Sequence, residues 1–182
     1  MEKKGFASIV GAGPGHPDFL TLRGLRVLEK AEVILRDALL DESFAELFPA
    51  NAEVIFVGKR NANHAMPQAE IQNLLIQKAR EGKRVVRLKG GDPFVYGRGG
   101  EEVLALREAG IDFELIPGLS SVNAAAGLSG IPLTQRGLAR EVLILEGKSL
   151  LENPDFDFEK MAGPETTVAI FMGSLSLEAL AK

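Results

Sequence analysis

Short apolar runs alternate with amphipathic stretches along most of this chain, and that alternation leaves few folds open to it. Phe6–Val10, Val33–Leu35, Val54–Val57 and Val85–Leu88 each read as a strand. Between them Leu22, Leu25 and Leu28 recur at helical spacing. Ile71, Leu74, Leu75 and Ala79 form an apolar stripe on a helix opened by Pro67 and stopped by Gly82. A helix from Glu101 to Ala109 ends at Gly110 and leads to a further strand, Phe113–Ile116. The pattern predicts an α/β fold with a largely parallel sheet. Pro117-Gly118 then marks a boundary between a first domain, 1–116, and a second, 117–182. The second part opens with a small-residue helix over Ser120–Leu128, whose start can receive a polar ligand. Two strands follow, Glu141–Leu145 and Thr167–Phe171, separated by the turn-rich Glu152–Asp155, and one short helix is expected after Gly173.

The segment from Lys89 to Glu102, KGGDPFVYGRGGEE, sits between the strand ending at Leu88 and the following helix. Ligands of open parallel sheets bind at such carboxyl ends. Its glycines let backbone approach a ligand, Pro93 stiffens the turn, and Asp92 offers an acceptor to a ribose hydroxyl or an ammonium group. A tight turn that holds nothing explains one glycine better than it explains five glycines with Asp92 and Arg98. The earlier run Gly11–Pro17 also follows a strand, but it is a poor dinucleotide fingerprint. His16 stands where the third glycine belongs, and Pro14 and Pro17 remove two backbone donors. No Walker lysine follows these glycines, and no G-x-S-x-G elbow occurs.

Composition narrows the class further. No stretch of eighteen apolar residues could span a bilayer, and the apolar run after Lys3-Lys4 is too short for a secretory signal, so a soluble cytoplasmic enzyme is expected. The absence of cysteine excludes disulfides and thiolate chemistry. His16 and His64 lie far apart and suggest no metal; both read as solvated loop residues, His64 with a lesser role at a substrate left open. A net charge of −4 argues against a nucleic-acid partner.

Several segments in register carry a resemblance: Val10–Asp18 with Leu20-Thr21-Leu22, Val57–Arg60, Lys89–Glu102, Pro117-Gly118 and Gly130–Thr134. Together they resemble the tetrapyrrole methylases, over about Phe6 to Leu177. The resemblance is narrowest to the members that C-methylate uroporphyrinogen III to precorrin-2 for sirohaem and cobalamin. It implies a two-domain α/β homodimer that holds S-adenosylmethionine between its domains and releases S-adenosylhomocysteine. Family members continue with further strands beyond the point matching Lys182, so the resemblance implies a truncated second domain and a fragment or incomplete site.

Residue by residue, the resemblance puts Pro14, Gly90, Gly91, Asp92, Val95, Ser120, Ser121 and Met172 around S-adenosylmethionine. It makes Asp37 the proton acceptor and Lys59 the proton donor. Arg60, Arg98 and Arg136 suit a substrate bearing many carboxylates. Blander readings stand beside these. Asp37 also reads as a strand-end carboxylate capping a turn, Lys59-Arg60 as a solvated pair, Arg98 as a salt bridge to Glu101 or Glu102, and Met172 as core filler. The chain departs from the family at Arg36, Gln135 and Glu146-Gly147-Lys148, and more mildly at Ser120, where threonine is frequent. Competing functions are methylation of a later precorrin, a noncatalytic dimerising module of the same fold, and ribosomal RNA methylation.

Overall fold

The computed structural model describes residues 4–58, 66–152 and 157–174. The chain forms two compact units, 1–124 and 125–182.

In the first unit, strands β1 (Phe6–Gly11), β2 (Val33–Arg36), β3 (Glu53–Phe56), β4 (Arg84–Lys89) and β5 (Phe113–Ile116) make one sheet in the order β3-β2-β4-β1-β5. All pairings are parallel, with Val10 opposite Leu88 and Ile116, and Arg36 opposite Leu88 and Phe56. Helices α1 (Leu22–Leu28), α2 (Gln68–Arg80) and α3 (Gly99–Glu108) connect the strands, with 3₁₀ turns at Pro17–Phe19 and Glu42–Leu47. Thr21 caps α1 through its hydroxyl, which accepts from the Gly24 amide at 3.0 Å.

The period-two alternation of each strand divides the core into two layers. Ala7, Ile9, Val33, Leu35 and Val85 pack with Ile71, Leu75 and Ala79 of α2 and Leu106 of α3. On the opposite face Val10, Ile34, Val86, Leu88 and Ile116 pack with Leu28 of α1 and with Leu40 and Phe44. Each fully buried aliphatic side chain stabilises the fold by about 2 kcal/mol of apolar burial.

The direction of the connections fixes where a ligand can sit. From β2 the chain moves outward to β3, whereas from β4 it moves the other way across β1 to β5. Adjacent strands whose connections diverge leave a crevice at their carboxyl ends. In this sheet the crevice lies between β2 and β4.

The predicted strands and helices of this unit all form, with shifted ends. Helix α3 starts at Gly99, two residues before the expected Glu101, because Arg98 takes a left-handed backbone with φ 57° and turns the chain sharply into the helix. Helix α4 (Ser121–Leu128) crosses from one unit to the other.

In the second unit β6 (Glu141–Glu146) and β7 (Thr166–Phe171) pair in parallel along their full length. Two helices not expected from the sequence, α5 (Gly147–Glu152) and α6 (Phe158–Met161), form part of the connection between them. A Cβ on Gly147 would stand 2.9 Å from the Gly173 α-carbon, so the ends of both strands pack backbone to backbone. Most of the expected Glu152–Asp155 turn and the short helix after Gly173 lie outside the described residues.

Candidate active site

Three glycines close the carboxyl ends of β1, β4 and β5. A Cβ on Gly118 would come within 2.2 Å of the Gly91 carbonyl oxygen, and one on Gly11 within 2.5 Å of the Gly118 amide nitrogen. No side chain fits between these backbones. Gly13 and Gly91 exchange both backbone hydrogen bonds, at 3.2 and 2.8 Å, which ties the first glycine loop to the second. Gly91 has a φ of 67° with open space beside it, so its side of the loop stays clear for a ligand.

Asp92 holds this loop in shape. Its Oδ1 accepts from the Phe94 amide at 2.8 Å, and its Oδ2 accepts from the Gly118 amide at 3.1 Å. Each oxygen retains a further lone pair for a ligand donor. Gly90 lies against Leu39, whose side chain is largely exposed. Val95 is half-buried and donates its amide to the Asp92 carbonyl at 3.3 Å. Tyr96 and Arg98 both hold positive φ, 52° and 57°, a conformation costing non-glycine residues about 1–2 kcal/mol each. Strain of that kind gathers at ligand sites.

Pro14 accepts the His16 amide through its carbonyl at 3.1 Å. His16 caps the following 3₁₀ turn, its Nδ1 accepting from the Asp18 amide at 3.2 Å, and remains exposed. Ser120 is buried, and among the described residues its Oγ has no hydrogen-bond partner. A buried hydroxyl without a partner is costly unless a ligand satisfies it. Its neighbour Ser121 opens α4. The chemistry of this edge suits an adenosyl ligand: bare backbone admits close approach, Asp92 retains acceptor capacity, and Ser120 Oγ lacks a partner among the described residues.

At the crevice between β2 and β4 lies a charged network. Asp37 directly follows β2, and its amide donates to the Leu88 carbonyl at 3.3 Å. Its Oδ1 accepts from Arg87 Nη2 at 2.6 Å, while among the described residues its Oδ2 takes no hydrogen bond. Arg87 is 2% exposed; its Nε donates to Glu102 Oε1 at 3.0 Å and its Nη1 to the Leu35 and Leu88 carbonyls at 3.3 Å. Lys89 Nζ and Gln68 Nε2 also reach Glu102 Oε1, each at 3.1 Å, and among the described residues the buried Oε2 has no partner. Burial, followed by the nearby Arg87 charge, lowers the Lys89 ammonium from its ordinary range.

The sequence pattern assigned no site role to Arg87 or Lys89, and offered Glu102 only as a partner for Arg98. Their signal was nonetheless present. Arg87 and Lys89 follow Val85 at period two, on the core side of a central strand, and Glu102 takes a core position of α3 with Gly99 and Leu106. Charges placed where apolar residues belong are the mark of a buried network.

Of the remaining candidates, Arg98 is exposed and chelates Glu101, Nε to Oε1 and Nη2 to Oε2, both at 2.8 Å. That hydrogen bond lowers the Glu101 carboxyl below its usual range. Arg36 lies on the other side of β2, buried, with Nη2 on the Leu40 carbonyl and its guanidinium 6.0 Å from the Phe48 ring. In the second unit Met172 has φ 56° and is 60% exposed, so it does not fill that unit's core, and Arg136 is exposed. Lys59, Arg60 and His64 lie outside the described residues. Among the described residues no cluster of histidine and carboxylate side chains could hold a metal, and no helix is long and apolar enough to cross a membrane.

Diverging connections, a glycine-lined strand edge and a half-buried carboxylate define the class of open α/β proteins that hold a small ligand outside their strand ends. The chain belongs to one family of that class, the tetrapyrrole (corrin/porphyrin) methylases, whose model matches residues 8–182. A sirohaem synthase of Chromobacterium violaceum is 48% identical over 94% of this chain, and one of Psychrobacter 47% over 96%. The chain spans 37% and 36% of those two relatives, little more than a third of their length. Among solved structures, uroporphyrin-III C-methyltransferase of Thermus thermophilus is 44% identical with a TM-score of 0.78, over 98% of this chain and 72% of that one. The same enzyme complexed with S-adenyl homocysteine gives 42% and 0.77, over 97% and 70%. A cobalt precorrin-4 methyltransferase gives 32% and 0.81, over 95% and 71%.

Proposed function

We propose that this chain carries the methyl-transfer site of an enzyme that C-methylates uroporphyrinogen III to precorrin-2, on the route to sirohaem and cobalamin. The carrying observation is Asp37, a half-buried carboxylate at the strand crevice with one oxygen held at 2.6 Å by Arg87 and the other free among the described residues. The names of the relatives and solved structures described above supply the substrate class. A methylase of a later precorrin is the second reading, favoured by the TM-score of 0.81 to the precorrin-4 enzyme. The higher identity to the uroporphyrin-III enzyme, 44% against 32%, favours the first.

S-adenosylmethionine would supply an electrophilic methyl group on a sulfonium. The positive charge disperses as the methyl moves, so alignment in a poorly solvating pocket contributes more than a strong anion. In this reading Gly90, Gly91, Asp92, Val95, Ser120, Ser121, Pro14 and Met172 bind and orient the donor. Asp92 and Ser120 supply its polar contacts. Asp37 takes the proton that the pyrrole ring, left cationic when its substituted carbon forms the new carbon–carbon bond, must lose elsewhere to become neutral. Lys59 returns a proton, and Arg60, Arg98 and Arg136 meet the substrate carboxylates. Arg98 would first have to exchange Glu101 for substrate. The reading includes a homodimer, a cytoplasmic location and a domain division at 116/117.

Incubation with S-adenosylmethionine and anaerobic uroporphyrinogen III, followed by product mass, tests it. Two added methyl groups are expected. Failure of the full-length protein to bind S-adenosylhomocysteine would sink it, and transfer only to a later precorrin would replace it with the second reading.

A further inference from the structure

We infer that Arg87, anchored by Glu102, is the positioning residue that aims the Asp37 carboxylate. The inference rests on Asp37 being the proton acceptor of the proposed reaction. Asp37 stands at the end of β2, where backbone alone fixes its amide but leaves χ1 and χ2 free. A carboxylate so placed would sample several rotamers, and a proton transfer tolerates little misplacement.

Arg87 removes that freedom. Its five donors form a rigid fork. Nε is engaged by Glu102, Nη1 by two strand carbonyls, and Nη2 by Asp37 Oδ1. Three acceptors other than Asp37, one each on β2, β4 and α3, therefore define the plane of one guanidinium. The plane in turn defines where Asp37 Oδ1 sits, and Oδ2 is left without a hydrogen bond among the described residues. Glu102 is itself fixed, being fully buried and held by Lys89 and Gln68 as well. Burying these charges costs stability rather than adding to it. A core position filled by arginine instead of the aliphatic residue that β4 otherwise carries there needs a reason, and orientation of Asp37 is the one the geometry offers.

Arg87→Lys tests this in the full-length protein. Lysine keeps the charge but cannot reach Glu102 and Asp37 together. We expect kcat to fall by about 10- to 100-fold while KM for S-adenosylmethionine stays within about twofold. In an Asp37→Asn background the same substitution should cost nothing further, because the effect runs through Asp37. Unchanged kcat, or an equal loss in both backgrounds, overturns the inference. Should Arg87→Lys not fold, Glu102→Gln, which preserves shape, replaces it with the same expected dependence on Asp37. If the unsubstituted protein methylates no tetrapyrrole, the proposed function fails separately. Crystal structures then decide the positioning role: Asp37 leaving its single rotamer in the substituted protein supports it, and an unmoved Asp37 overturns it.

Discussion

The α-carbon of Gly118 packs so tightly on the carbonyl oxygen of Gly91 that a Cβ at position 118 would lie 2.2 Å from it. That contact joins the end of β5 to the loop after β4 with no intervening side chain. It makes the strand edge a surface of bare backbone.

Gly118→Ala should therefore be more damaging than Gly91→Ala. The first forces two backbones apart, and a displaced Gly118 amide also leaves Asp92 Oδ2. The second meets no atom within 4 Å and pays only for a left-handed alanine, about 1–2 kcal/mol. Urea unfolding of both variants checks the order, and equal losses would contradict it.

Asp92→Ala removes the acceptor for two loop amides, Phe94 and Gly118. The Phe94 amide is exposed and finds water, whereas the Gly118 amide is partly buried, and a buried donor left unsatisfied costs about 1–3 kcal/mol. Affinity for S-adenosylhomocysteine, read by calorimetry, should fall at least about tenfold. Asp92→Asn, which keeps one carbonyl acceptor, should fall less.

Glu102→Leu strands Arg87 and Lys89 without their shared acceptor. Breaking a buried pair in this way costs about 3–5 kcal/mol, and chemical denaturation should show a loss of that size. A loss below about 1 kcal/mol, the scale of exposed pairs, would mean that water reaches the network.

Asp41 accepts from the Ser43 hydroxyl and amide, and these bonds lower its pKa from the ordinary 3.8. A carboxylate with a depressed folded-state pKa stabilises the fold above the unfolded value and loses that contribution as pH falls through the folded one. Asp41→Ala should lower Tm at pH 7. The gap to the unsubstituted protein should narrow as pH drops below 3.8, and a gap that held constant into acid would refute the capping account.

The sequence by itself determined the elements, because their signals are local. The apolar run Phe6–Val10, the stripe Ile71, Leu74, Leu75 and Ala79, and the stops at Gly82 and Gly110 concern neighbours within a turn or a strand. The resemblance carried by Lys89–Glu102 and the earlier glycines pointed to the family that the chain belongs to. Tertiary structure decided which strands are neighbours and therefore which charges meet. Asp37 and Arg87 are fifty positions apart, and only the order β3-β2-β4-β1-β5 brings them within 2.6 Å. The choice between Glu101 and Glu102 as partner of Arg98 was likewise beyond sequence. Adjacent helix residues point about 100° apart, and packing turned Glu102 into the core and left Glu101 outside for Arg98. Periodicity reports which face a residue occupies. What lies opposite that face depends on connections that no local pattern encodes.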